Sequence, residues 1–149
     1  MKNLFKSSGV LLLVLSIWPV TFAAEKSQAI KKETLDIRVT DAFFYVPLGT
    51  SKTTMAFFTI TNYSSVNLSV TGVSSPAAKQ VRLMPESTLA LPAKQSVALK
   101  SSGRYVQINE LKTRLSTGDE LYVDVSLSNG QTLHIVAVAK SAYDQVHGR

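Results

Sequence analysis

The chain of 149 residues has no cysteine, two histidines and one tryptophan. Without cysteine there is no disulfide framework, no thiolate zinc or iron–sulfur site, no cysteine nucleophile and no CxxC redox pair. His134 and His147 leave little for a histidine metal cage or a Ser-His-Asp triad, and no GxSxG, SxxK, HExxH or glycine-rich phosphate loop occurs. The adjacent acids Asp119 and Glu120 fall in a turn sequence beside no partner for acid–base work, so Asp119 is read as a turn stabiliser. The chain is expected not to be an enzyme. Charge is also thin: 16 basic against 10 acidic side chains give a net +6. The basic residues are scattered, without the aromatic-interleaved cluster of a nucleic-acid surface, so no nucleic-acid partner is expected.

What remains is 45% hydrophobic and 17% charged, the composition of one folded domain. Its N-terminus reads as a leader. Lys2 and Lys6 precede an apolar stretch from Gly9 to Val20, shorter than the roughly 20 residues that span a bilayer and suited to a secretory h-region. Small residues follow in Thr21-Phe22-Ala23-Ala24, which predicts cleavage after Ala23. The expected organisation is a signal peptide over 1–23, a polar tail over 24–34, a domain over 35–140 and a second polar tail over 141–149. The mature protein is expected in the periplasm or outside the cell, with no membrane attachment after cleavage and no lipobox cysteine.

From Leu35 the pattern has period two. Leu35, Ile37 and Val39 alternate with polar residues, as do Ala56, Phe58 and Ile60, and Leu121, Val123, Val125 and Leu127. Turn residues separate these runs, and Asn129-Gly130 is the strongest hairpin signal, predicting positive φ at both positions. Seven to nine strands of five to eight residues are expected, giving an all-β, single antiparallel Greek-key β-sandwich. The aromatic group Phe43, Phe44, Tyr45, Phe57 and Phe58 is dense for so small a sheet. Alternation buries only one side, which leaves one or two rings available for a partner contact.

The order of segments resembles the periplasmic copper chaperone family PCu(A)C. The resemblance rests on Asp41-Ala42-Phe43-Phe44, on Ala56 to Asn62, on Leu68 to Met84 with Ser74-Ser75-Pro76 inside it, and on Leu91-Pro92-Ala93. It continues through Val97 to Lys100, Gly103 to Lys112 and Leu115 to Glu120, so that it covers about residues 36–139. It implies a cupredoxin-like sandwich, copper(I) as the bound metal, and a partner such as a copper enzyme or an oxidase assembly factor. Copper(I) is soft, and thioether and imidazole donors suit it.

The resemblance also locates the metal positions, and most carry other residues here. Met84 stands where the first histidine is expected, Tyr105 where the histidine of a His-x-Met pair is expected, and Gln107 where its methionine is expected. The arm bearing a further methionine is reduced to Pro85-Glu86-Ser87-Thr88. Met84, Tyr105 and Gln107 are therefore the remnant metal positions, with Met55 and His134 as auxiliary candidates. His134 is read first as a partly buried histidine bonded to a carbonyl. Two functions follow: a copper(I) chaperone for oxidase assembly with a degraded site, or a copper-independent periplasmic interaction module on the same scaffold.

Overall fold

The computed structural model describes residues 36–143. The expected leader over 1–23, the tail over 24–34, Leu35, and residues 144–149 with His147 lie outside the described residues. Nine strands follow in order: β1 (Ile37–Tyr45), β2 (Thr54–Asn62), β3 (Leu68–Ser74), β4 (Ala78–Met84), β5 (Leu89–Leu91), β6 (Gln95–Ala98), β7 (Tyr105–Leu111), β8 (Glu120–Leu127) and β9 (Thr132–Lys140). They form one sheet in the order β4-β7-β2-β1-β9-β8-β3-β5, with β6 pairing the far half of β2. The sheet is curled into a sandwich-like form, and β3 meets β4 while β2 meets β5. The all-β Greek-key expectation holds. One pairing departs from antiparallel: β9 lies parallel to β1, with Phe43, Phe44 and Tyr45 opposite Val138, Ala139 and Lys140. A parallel pair needs a long connection, and here the intervening seven strands provide it.

Alternation places the core. Ala56, Phe58 and Ile60 of β2, Val106 and Ile108 of β7, Leu121, Val123 and Val125 of β8, and Ile135 and Ala137 of β9 all point inward and are buried. Each Val, Leu, Ile or Phe side chain among them contributes about 1.5–3 kcal/mol on full burial.

β1 breaks the alternation. Thr40 faces Thr59, yet Phe43 faces Phe57, so three steps on β1 match two on β2. The extra residue is accommodated at Asp41, whose φ is 55°. Ile37 and Val39 face inward before this bulge, and Phe44 faces inward after it. An unbroken strand would have put Phe43 and Tyr45 in the core instead.

The β8–β9 hairpin forms at Asn129-Gly130, with a different turn from the one predicted. Only Gly130 has positive φ, at 84°. Gly130 N–H donates to the Leu127 carbonyl at 3.0 Å, and Leu127 N–H to the Gln131 carbonyl at 2.8 Å. This is a three-residue loop closed by a glycine bulge. Asn129 stays at negative φ and accepts the Gln131 N–H at 3.0 Å instead. Asp119 stabilises its turn as expected, its carboxylate accepting the Ser116 N–H at 2.7 Å.

Candidate functional site

Strands β4, β7 and β2 bring most of the sequence-derived positions onto one surface. In β7 the residues Val106 and Ile108 are buried, so Tyr105 and Gln107 emerge on the opposite face, half-buried. On β4, inward Leu83 leaves Arg82 and Met84 facing out. The register sets Met84 opposite Tyr105 and Arg82 opposite Gln107. On the other flank of β7, Met55 of β2 pairs with Gln107 and is 38% exposed.

Met84, Tyr105, Gln107 and Met55 thus share one patch. Directly opposed residues have Cβ atoms about 4.5–5.5 Å apart. Met84 and Met55 are not opposed: they stand two strands and one pleat repeat apart, about 12 Å between Cβ atoms by strand geometry. That separation is too wide for both thioethers to ligate one ion. The donors lying between them are a phenol and an amide, and oxygen donors suit copper(I) poorly.

His134 is elsewhere. It points outward from β9, 77% exposed, with Nδ1 2.6 Å from Asp124 Oδ1 on β8. The partly buried histidine bonded to a carbonyl is corrected to an exposed histidine bonded to a carboxylate. Its neighbours Leu133 and Ile135 take the inward positions. By strand spacing it is roughly 20 Å from Met55. Among the described residues no three histidine, cysteine, aspartate or glutamate side chains converge to hold a metal.

Two features escaped the sequence. The first is an aromatic trio on the outer face: Phe43, Tyr45 and Phe57, with ring centroids 5.3–5.9 Å apart. Alternation had suggested one or two rings available outside the core, and two are, Phe43 and Tyr45, half-buried over Phe57, which is 2% exposed. The second is Asn62, the last residue of β2, which is fully buried. Its side-chain NH2 donates to the carbonyls of Val66 at 2.8 Å and Leu91 at 3.0 Å, and its carbonyl oxygen accepts from the backbone and hydroxyl of Ser64. Asn62 therefore ties β2 to the loop beyond it and to β5.

The comparisons agree with this geometry. A family model for LpqE-like lipoproteins matches residues 37–139. No curated protein matches the sequence. Among solved structures the chain is similar to the apo PCuAC domain from PmoF1, with 19% identity and a TM-score of 0.66, over 70% of this chain and 93% of that one. It is also similar to the copper-bound PCuAC domain from PmoF2, with 16% identity and a TM-score of 0.65, over 70% and 92%. Copper(I)-bound DR1885 from Deinococcus radiodurans is 24% identical, with a TM-score of 0.56 over 66% and 74%. At these identities the likeness is one of fold, and it bears out the resemblance drawn from the linear series of motifs.

Proposed function

The chain belongs to the LpqE-like family, and from that premise we propose that it is an exported, non-enzymatic accessory protein on the PCu(A)C scaffold. Its working surface is the outer face of β4, β7, β2 and β1, and it acts by docking to an extracytoplasmic partner protein. The observation that carries this reading is the donor set: two methionines whose Cβ atoms stand about 12 Å apart by strand geometry, with Tyr105 and Gln107 in between. Such a face contacts protein better than it chelates copper(I).

A second reading keeps copper(I) as cargo, delivered to a copper enzyme or an oxidase assembly factor. The copper-bound PCuAC domain from PmoF2, a solved relative in fold, and the shared face of Met55 and Met84 favour it. One titration separates the two. Copper(I) is offered to the protein in competition with a chromogenic chelator, and no competition at stoichiometric protein is expected. Stoichiometric capture that is lost in Met84→Ala would establish the copper reading. Intact mass of the exported form tests the organisation, with removal of residues 1–23 expected.

A further inference from the structure

The bulge in β1 has turned two aromatic rings out of a core that had room for apolar side chains at alternate positions. Asp41 holds the left-handed backbone that makes this possible, at φ 55°. Outliers of this kind persist where the surroundings over-determine them, often beside functional surfaces, and bulges re-aim side chains there. Here the re-aimed rings, packed on buried Phe57, floor an open cleft of about 580 Å³ walled on the other side by residues 98–102.

Two lysines and one acid surround this cleft. Lys140 Nζ stands 4.0 Å from the centroid of the Phe43 ring, and Lys100 lines the opposite wall. Neither lysine has an acidic partner among the described residues. Asp41 is the single acid in the lining. Beyond the cleft, Val138 pairs with Phe43 and is 42% exposed, extending the apolar floor.

We infer that this cleft docks an extended, acidic segment of a partner protein. An aromatic or aliphatic side chain of the segment lies on Phe43 and Tyr45, and its carboxylates meet Lys100 and Lys140. Buried aromatic anchors supply most of the affinity in such contacts, and rim charges set partner choice and encounter rate. A second copy of this chain is the competing occupant, and the test separates the two. The inference rests on the docking reading above and names its partner's chemistry.

The test uses two synthetic twelve-residue peptides on the exported protein, one alternating Glu with Phe and Leu, the other with Lys in place of every Glu. Isothermal titration calorimetry gives affinity, and NMR reads the ring resonances of Phe43 and Tyr45. The Glu peptide is expected to bind at least tenfold more tightly than the Lys peptide and to move both rings. The exposed double reversal Lys100→Glu with Lys140→Glu should erase that preference while leaving the circular dichroism spectrum unchanged. Equal binding of both peptides, no binding of either, or a preference that survives the double reversal overturns the inference. A dimer seen by sedimentation that dissociates on Tyr45→Ser also overturns it, because the occupant is then a second copy. Stoichiometric copper(I) capture without loss of the peptide preference would fell the docking-only function and leave this cleft assignment standing.

Discussion

At zero exposure, Asn62 bonds four polar groups: two carbonyls, one backbone N–H and one hydroxyl. A buried group left without a partner costs about 1–3 kcal/mol. Asn62→Ala is therefore expected to lose about 2–4 kcal/mol, read as a lower urea midpoint with an unchanged slope. Asp41 gives a second prediction at this scale. Left-handed backbone costs a side-chain-bearing residue about 1–2 kcal/mol, least for Asp and Asn. Asp41→Gly should fall within about 0.5 kcal/mol of the native protein, because relief of that cost offsets the added freedom of the unfolded chain. Asp41→Val should lose about 1–2 kcal/mol, since a β-branched side chain tolerates that backbone worst. Thermal unfolding of the pair measures the difference.

At the scale of the strand, the bulge decides which of two adjacent phenylalanines belongs to the core. Phe44 is fully buried beside Ala56, and Phe43 lies half-buried on the outer face. Phe44→Ala is expected to cost about 3–5 kcal/mol and Phe43→Ala about 1–2 kcal/mol. Chemical denaturation of both variants checks this, and equal losses would contradict the register. The β8–β9 hairpin shows the same dependence on one residue's backbone, because Gly130 alone supplies the positive φ that closes the loop. Asn129-Gly130 was legible as a hairpin from sequence. The turn type was not, because the dipeptide serves both a two-residue loop and a three-residue loop with a glycine bulge.

For the whole molecule, stability comes from the apolar interior between the two halves of the curled sheet, with contributions from β1 to β9. Among the described residues no cluster of three or more His, Cys, Asp or Glu side chains is placed to hold an ion. A ligand stabilises only through its affinity for the folded state. The midpoint of thermal unfolding is therefore expected to be the same, within about 1 °C, in the presence of a chelator and with one equivalent of copper(I) under reducing conditions. A rise of several degrees with copper(I) would indicate a bound ion and favour the second functional reading.

The sequence alone determined the class of fold, a strand number between seven and nine, and the poverty of soft donors at the metal positions. Period-two alternation and turn residues are local signals, and a residue type is visible whatever its neighbours. Met84, Tyr105 and Gln107 stand on an outward face because Leu83, Val106 and Ile108 beside them are buried, an alternation that the residue types themselves display. Tertiary structure decided everything that depends on absolute register. Alternation says that neighbours point opposite ways, and it cannot say which way once a strand holds an extra residue. Asp41 hid that residue, because no glycine marked the bulge. The distance of His134 from Met55, the burial of Asn62 and the outward aromatic trio all follow from pairings between strands far apart in sequence, which no local pattern encodes.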